Sequence, residues 1–253
     1  MGAAKRESGV FYIQNLTWPQ AEKIFPGSIA ILPVGAIEAH GPHLPLGTDI
    51  LISRALSSRV GEMLAARGLS CVILPTLTYT AAACAAAFTG TITVDASCLP
   101  AVLEGIAKAL SGAKVSALAI ANSHFDPAHR NSLREAVAKI EAVLPVAYPD
   151  YARKAHAVKL TDEFRSGACH AGQFETSLML AIRGDLVRWD VAKALPDTPN
   201  SLTTAFKEGK TTFAEAGGPQ AYFGYPSKAT AAEGEKTLAQ MATILADEVE
   251  ELV

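Results

Sequence analysis

Hydrophobic and polar positions form two recurring patterns along the chain, short apolar runs and longer amphipathic stretches. The short runs carry almost no charge and do not alternate with polar residues, which is typical of strands buried on both faces of a parallel sheet. They cover residues 29–34, 70–75, 115–121 and 144–148. The longer stretches repeat apolar residues at helical spacing and cover residues 49–67, 95–111, 127–143 and 230–252. Strands and helices therefore take turns along the chain, which favours an α/β fold on a mainly parallel sheet.

The pattern indicates one domain, residues 1–253. The chain has no internal repeat, no low-complexity linker and no break in composition, and its length suits a single domain with a large core. Residues 1–9 have the composition of a frayed tail. The segment 76–91 is rich in small side chains and is predicted to be an irregular loop that either lines a pocket or packs tightly.

Composition and charge exclude several classes of function. Only 19% of the residues are charged and the net charge is −3 without a basic run, so neither nucleic acid nor a membrane is expected as a partner. The N-terminus lacks the apolar core of a secretion signal, and the four cysteines show no paired spacing. We therefore expect a cytoplasmic protein with reduced thiols, of which Cys71, Cys84 and Cys98 lie in apolar surroundings. Neither a Walker motif nor Gly-x-Gly-x-x-Gly occurs, which disfavours a kinase or a dehydrogenase.

Four potential metal ligands lie in one loop after the first predicted strand. They are Glu38, His40, His43 and Asp49. Two glycines and two prolines lie among them, which excludes a regular helix or a central strand. Glu38 and His40 are two residues apart, and an extended backbone would point both side chains to the same side. Singly, each residue could be solvated, and Asp49 could cap the next helix. Together they suit a divalent metal ion.

Two further polar clusters occur where predicted strands or helices meet a loop. His124 and Asp126 follow the third strand, and His129 is expected on the surface of the next helix. His170 and Glu175 stand at the start of another helical stretch, where Glu175 would also suit the positive end of the helix dipole. Because the carboxyl ends of parallel strands meet at one edge of a sheet, we expect the three clusters to lie close together.

Three segments resemble the motifs of the creatininase (creatinine amidohydrolase) family. Residues 35–49 read Gly-Ala-Ile-Glu-Ala-His-Gly-Pro-His-Leu-Pro-Leu-Gly-Thr-Asp, close to the family's Gly-Ser-x-Glu-Gln-His-Gly-Pro-His-Leu-Pro with Thr-Asp shortly after. Residues 122–126 read Asn-Ser-His-Phe-Asp, where creatininases carry Asn-Gly-His-Tyr-Glu. Residues 170–177, His-Ala-Gly-Gln-Phe-Glu-Thr-Ser, match the third motif in full. The resemblance covers nearly the whole chain and implies a three-layer α/β/α sandwich on a mainly parallel sheet.

The resemblance also implies a set of metal ligands. The residues that it assigns to one or two divalent ions are Glu38, His40, Asp49 and His124. Asp49 would bridge the two ions, and zinc is expected first, with manganese or iron as alternatives. Asp126 stands where creatininases place a metal-binding glutamate, but its side chain is one methylene shorter. Either Asp126 or Glu175 could therefore complete the second position.

The activity implied by the resemblance is hydrolysis of an amide C–N bond by a metal-activated water. The candidate catalytic residues are His170 and Glu175, and His170 would move a proton to the departing nitrogen. Creatininases have substrate-contacting tryptophans between the second and third motifs, whereas Trp18 and Trp189 lie outside that segment. The expected substrate is therefore a small cyclic amide or a formamide other than creatinine.

Two alternative functions stay open. The family includes a peptidase that acts on a peptide-derived redox cofactor, so a modified peptide could be the substrate. A metal-stabilised binding or assembly protein would keep the ligands but would have no need of His170. Hexamers are common in the family, and we therefore expect a homo-oligomer.

Overall fold

The first strand of the protein begins at a position where the sequence predicts a tail. The computed structural model describes residues 8–253, so most of the predicted tail, residues 1–9, lies outside the described residues. Gly9, the last residue of the predicted tail, is the first residue of strand β1, Gly9–Tyr12, at the edge of the sheet. These four residues are only half-buried or exposed, and so short an edge strand leaves neither an apolar run nor a clear alternation in the sequence.

A parallel sheet of five strands forms the centre of the fold within residues 8–253. After β1 its strands are β2 (Ile29–Val34), β3 (Ser70–Ile73), β4 (Ala117–Asn122) and β5 (Val146–Ala147), in the spatial order β1-β3-β2-β4-β5. Every residue of β2 is buried, as its uncharged apolar run predicts. All four predicted strands are present, and the α/β class is confirmed.

Helices of very different lengths surround the sheet. Those in the described part of the chain are α1 (Trp18–Ile24), α2 (Thr48–Ala66), α3 (Cys98–Gly112), α4 (Pro127–Ile140), α5 (Lys154–Ala157), α6 (Asp162–Ser166), α7 (Gln173–Arg183), α8 (Trp189–Ala192), α9 (Leu202–Lys207) and α10 (Ala231–Glu250). The four long predicted helices correspond to α2, α3, α4 and α10. None of the helices in residues 8–253 combines the length and the apolar character that crossing a membrane requires.

The helices cover both faces of the sheet and give the expected α/β/α sandwich. Alternate residues of β2 point to opposite faces. Ile29 and Ile31 pack in one core with side chains of α2, α7 and α10, whereas Ala30 and Leu32 pack in a second core with side chains of α3 and α4. Since each fully buried Ile or Leu contributes roughly 1.5–3 kcal/mol, both cores hold the central strand in place.

The carboxyl ends of β2 and β4 lie side by side and bring two of the polar loops together. Val34, the last residue of β2, pairs with Asn122, the last residue of β4. Gly35 follows directly, and a Cβ atom at this position would lie 2.6 Å from the carbonyl carbon of Asp49. Only glycine therefore allows the first turn of α2 to approach the strand end so closely. This approach delivers Asp49 to the edge of the sheet.

The cysteines agree with the expected thiol state but only partly with the expected locations. All four are free; Cys71 and Cys84 are buried, and Cys169 is half-buried. Cys98 is exposed, so its predicted apolar surroundings are wrong. It is the first residue of α3, and the adjacent Leu99 and Pro100 take the buried positions of that turn instead.

Candidate metal centre

Asp49 lies between two histidines from different loops. Its Oδ1 atom is 3.2 Å from Nε2 of His40, and its Oδ2 atom is 3.0 Å from Nδ1 of His124. All three side chains are at most 1% exposed. A carboxylate that presents each oxygen to a different imidazole has the arrangement required to bridge two metal ions.

Hydrogen bonds to the backbone fix which nitrogen of each histidine faces Asp49. Nε2 of His124 lies 2.8 Å from the carbonyl oxygen of Ala81, and Nδ1 of His40 lies 3.1 Å from the carbonyl oxygen of Glu38. A carbonyl can only accept, so these nitrogens carry the protons and donate. The opposite nitrogens are left to act as ligands, which is how metal-binding histidines are usually oriented.

Two glutamates complete the surroundings of the histidines. The Oε1 atom of Glu38 is 3.1 Å from Nδ1 of His124 and 3.8 Å from Nε2 of His40. The Oε2 atom of Glu175 is 3.5 Å from Nε2 of His40 and accepts a hydrogen bond of 2.6 Å from the backbone N–H of Ala171. Ala171 adopts a φ of 49°, an uncommon value for a residue with a Cβ. The loop before α7 is thus bent so that Glu175 turns towards the first loop.

His170 lies beside these carboxylates, packed between two rings. Its Nδ1 atom is 3.8 Å from Oε1 of Glu38 and 4.0 Å from Oε2 of Glu175, while its Nε2 atom donates to the carbonyl oxygen of Ala39 at 2.9 Å. The ring centroid is 4.4 Å from that of His40 and 4.3 Å from that of Phe213. This packing holds Nδ1 towards the metal centre.

Three overlapping groups within residues 8–253 could hold a metal ion. They are Glu38 with His40 and His170, Glu38 with Asp49 and His124, and His40 with Asp49 and Glu175, and all of these residues are buried. In the last two groups Asp49 is the shared member, so two ions could be bound side by side. Five of the six metal ligands predicted from the sequence, all except Asp126, belong to these groups. The predicted catalytic residue His170 belongs to one of them as well.

The chemistry of these groups fits a divalent ion. Four buried atoms of these groups make no hydrogen bond within residues 8–253: Oε2 of Glu38, Nε2 of His40, Oδ1 of Asp49 and Nδ1 of His124. Leaving such an atom unpaired costs about 1–3 kcal/mol each, which a metal ion would relieve. The cavity that Glu38, Asp49 and His124 line measures about 40 Å³, more than the roughly 10–15 Å³ that one water needs. Carboxylate and imidazole ligands suit zinc, manganese and iron.

The electrostatics of these side chains also favour a bound cation. Burial raises the pKa of Glu175 to about 8 and also raises the pKa of Glu38. Although burial opposes charge on His40, the neighbouring carboxylates Asp49 and Glu175 raise its pKa to about 10, and Glu38 and Asp49 raise that of His124. In spite of its burial, Asp49 has a pKa well below its usual value because the two histidines face it. Protons on these histidines and glutamates therefore offset the negative charge that three ionised carboxyl groups would bring together, and a divalent cation would displace them.

Asp126 makes different contacts from those expected of a metal ligand. Its Oδ1 atom accepts hydrogen bonds from the backbone N–H groups of Ala128 and His129 at the start of α4, at 2.8 and 3.4 Å. Its Oδ2 atom accepts one from Cys84 N–H at 3.2 Å. Asp126 borders the cavity but belongs to none of the three groups. Its contacts make it the N-cap of α4, and Glu175 stands beside His40 in its place.

Two further buried histidines, His43 and His129, lie outside the three groups. Nε2 of His43 forms a hydrogen bond with the Thr176 hydroxyl at 2.9 Å, and burial lowers the pKa of His43 to about 4. His129 is fully buried, with hydrogen bonds to Thr80 at 2.6 Å and to the Asn122 side chain at 2.9 Å. The prediction of a surface position for His129 is wrong, because this face of α4 packs against the end of β4.

Glu163 is a structural residue of the site that the sequence did not reveal. It is buried in α6, and its carboxylate accepts backbone hydrogen bonds from Gln173 at 2.8 Å, Phe174 at 2.6 Å and Tyr225 at 2.7 Å. It thereby secures the first turn of α7, which carries Glu175. No short-range motif marks such a residue, because its partners come from two other segments of the chain.

The second metal position can be tested with two alanine variants. In the group with His40 and Asp49 the ligand atoms are 3.2–3.5 Å apart, slightly wider than the 3.0–3.1 Å around His124, so we expect this ion to bind more weakly. Calorimetric titration of the metal-free protein with Zn²⁺ should give one tight and one weaker ion. Glu175→Ala should abolish the weaker one. Asp126→Ala should keep both and lower stability by about 1 kcal/mol, the usual effect of losing an N-cap.

The opposite pattern would show that the assignment of the second position is wrong. If Asp126→Ala alone removed an ion while Glu175→Ala bound two, Asp126 would be a ligand in solution. Thermal unfolding of both variants separates loss of an ion from loss of the fold.

Comparison with known proteins is consistent with this geometry. A family model described as "Creatininase: Creatinine amidohydrolase" matches residues 14–249. The chain is 30% identical over 228 residues to a mycofactocin precursor peptide peptidase of Mycolicibacterium smegmatis, covering 87% of this chain and 84% of that protein. It is 29% identical over 198 residues to the creatinine amidohydrolase of Pseudomonas putida, covering 71% and 74%.

Solved structures show the same fold. A creatininase crystal structure superposes with a TM-score of 0.74 at 24% identity, covering 95% of this chain and 97% of the other. Two further similar structures, with TM-scores of 0.74 and 0.69, are described as a Zn-Zn type mutant creatininase and as a manganese creatininase. The match of the family model over almost the entire sequence, together with the fold, leads to one assignment: the chain belongs to the creatininase family.

Proposed function

We propose that this creatininase-family hydrolase cleaves an amide C–N bond with the help of one or two divalent ions. The observation that carries the proposal is Asp49, buried between His40 and His124 with one oxygen towards each. Stability alone would not require four acidic side chains, Glu38, Asp49, Asp126 and Glu175, around one cavity of about 40 Å³. A hydrolytic metal centre requires such a cluster.

The residues present define two positions for ions. Glu38, Asp49 and His124 would hold one, and His40, Asp49 and Glu175 would hold the other. Zinc is our first choice because its preferred ligands are nitrogen and oxygen atoms of this kind, with manganese or iron as alternatives. When bound, such ions lower the pKa of water and polarise a carbonyl group.

His170 supplies the proton transfer in this proposal. Burial, with a smaller effect of His40, lowers the pKa of His170 well below its usual value, so the imidazole is neutral at pH 7. Because its Nε2 proton is committed to Ala39, Nδ1 is the atom free to accept a proton and to pass it to the departing nitrogen. Phe213 packs against the other face of the ring and shields it from solvent.

The proposed substrate is an amide other than creatinine. Trp18 is 78% exposed and Trp189 is 37% exposed, and neither lines the cavity, so no tryptophan of this chain covers a bound creatinine. The large apolar side chains that line the cavity are instead Phe125, Leu202, Phe206 and Phe213. A cyclic amide or a formamide with an apolar body suits this lining.

A precursor peptide is the second candidate substrate. The relative of Mycolicibacterium smegmatis is named a peptidase of such a peptide, and it matches 87% of this chain. The cavity also adjoins a much larger cleft, of about 620 Å³, which a ring as small as creatinine would leave largely empty. A homo-oligomeric state and a cytoplasmic location remain part of the proposal.

A substrate screen tests the proposed function. Protein reconstituted with Zn²⁺ or Mn²⁺ would be incubated with creatinine, other cyclic amides, formylamino heterocycles and short acylated peptides, and amine release would be measured. We expect turnover of at least one amide class and creatinine to be the poorest substrate or inert. Efficient turnover of creatinine would contradict the substrate assignment. Absence of turnover across the panel, with both ions bound, would favour a non-catalytic binding protein.

A further inference from the structure

The cavity at the metal centre is too small to contain an organic substrate. Its volume of about 40 Å³ suits ions and one or two waters. The neighbouring cleft of about 620 Å³ lies within the size range of pockets that enclose drug-sized ligands. Cavity and cleft share four lining residues, Phe125, Cys169, Leu202 and Phe206. A substrate whose amide reaches the ions must therefore place the remainder of its structure in this cleft.

The walls of the cleft are largely apolar. Phe125 and Phe164 pack edge to face with ring centroids 5.3 Å apart, and both line the cleft. Val158, which also lines the cleft, is 52% exposed, and Phe206 from α9 is half-buried. These side chains offer an apolar surface that a ligand could cover. The body of the substrate should therefore be apolar.

All charged residues that line the cleft are cationic. They are Arg130, Lys154, Arg165 and Lys207, and no carboxylate is among the lining residues. The protein as a whole has a net charge of −3, so this cleft departs locally from the average. Such a concentration of one sign raises the local concentration of a ligand of opposite charge.

Two of the cations are already neutralised and two are not. Arg130 binds both oxygens of Asp150, at 3.1 and 3.0 Å, and Arg165 pairs with Asp162. Lys154 and Lys207 are exposed and form no ion pair within residues 8–253. They are the groups in the cleft that a ligand could neutralise.

We infer that the substrate carries a carboxylate, which Lys154 and Lys207 hold in the cleft while the amide lies at the metal centre. The inference rests on the proposed amide hydrolysis and specifies its substrate class, an apolar amide with an acidic end. A carboxylate is the natural anion of this class, because a chain of amide-linked residues ends in one. Creatinine has no such group.

Direct binding of matched probes tests the inference without requiring turnover. N-acetylphenylalanine has the carboxylate, and N-acetylphenylalaninamide differs only by its neutral amide. In calorimetric titrations of the metal-loaded protein at low salt, we expect the acid to bind at least 10-fold more tightly than the amide, and 0.5 M salt to reduce this preference. The double variant Lys154→Gln with Lys207→Gln should lose the preference, whereas Lys108→Gln, an exposed lysine of α3 outside the cleft, should retain it.

Three results would overturn the inference. Equal binding of acid and amide would show that no anion is recognised. A preference that survives the double lysine variant would place the carboxylate elsewhere, for example on the ions themselves. Phenyl phosphate binding more tightly than the acid, in the same lysine-dependent way, would identify a phosphate as the occupant. Failure of the proposed hydrolysis would be visible separately, as an absence of turnover by a protein that still distinguishes the two probes.

Discussion

Replacing Asp49 by alanine is expected to empty both metal positions and to abolish hydrolysis. Asp49 presents one oxygen to His40 and the other to His124, so it is the only ligand common to the two groups that would form the pair of positions. Losing a residue that merely orients a ligand already costs 10–100-fold in metal affinity, so we expect loss of this ligand to cost more than about 100-fold at each position. Elemental analysis after purification without chelator should show between one and two ions per chain in the wild type, since the second is held more weakly, and close to none in the variant.

The isosteric variant Asp49→Asn controls for damage to the fold. It keeps the size of the side chain and an oxygen that can accept the hydrogen bond from Ala36 N–H. We expect it to keep the fold with somewhat lower stability in the absence of metal, because its neutral amide no longer pairs with the two histidines that keep Asp49 ionised. It should lose most of the metal. A fully loaded Asp49→Asn protein would exclude a bridging role for this carboxylate.

The second large effect is expected for His170→Ala, which should retain its metal and lose its activity. Nδ1 of His170 is 3.8–4.0 Å from the nearest carboxylate oxygens, farther than the ligand atoms of His40 and His124 are from Asp49. Removing a group that transfers protons typically costs 10²–10⁴-fold in rate. We expect a decrease of this order in kcat, with unchanged zinc content and an unchanged unfolding temperature.

A matched histidine variant makes this result specific. His156 of α5 is half-buried and pairs with Glu248 at 3.4 Å, outside the cavity and the cleft. His156→Ala should keep wild-type turnover. If His170→Ala lost an ion, His170 would be a ligand in the group with Glu38 and His40. If it kept full turnover, the proton transfer would have to be assigned to another residue.

The fold and most of the site could be predicted from the sequence because the relevant signals are local. Apolar runs without charge give the buried strands, and the residue types of the loop from Gly35 to Asp49 give three candidate ligands at once. The parallel arrangement then places His124 beside them, since Val34 and Asn122 end neighbouring strands. Similarly, Glu175 is found because it stands in the first turn of a helix next to His170.

What could not be predicted depends on contacts between distant segments. Glu163 binds backbone N–H groups from two other segments, and nothing in its own neighbourhood indicates this. The sequence likewise cannot tell whether Asp126 binds a metal or caps α4. The answer depends on which groups of other segments lie within hydrogen-bonding distance of its carboxylate oxygens. The burial of His129 follows from the side of α4 that faces the sheet.

The unpaired lysines of the cleft could not be predicted from the sequence for the same reason. Lys154 and Lys207 are more than fifty residues apart, and they line one cleft only because α5 and α9 both lie beside the mouth of the cavity. Neither residue belongs to a motif of the family. Substrate preference in this chain is therefore expected to depend on positions outside the segments by which the family is identified.

Anomalous X-ray diffraction from crystals of the zinc-loaded protein, recorded at the zinc edge, tests the central claim most directly. We predict one peak within about 2.0–2.2 Å of ligand atoms from Glu38, Asp49 and His124, and a second one, of lower occupancy, beside His40, Asp49 and Glu175. The carboxylate of Asp49 should contact both. Peaks located elsewhere, or a centre whose ions leave Asp49 uncoordinated, would contradict the account.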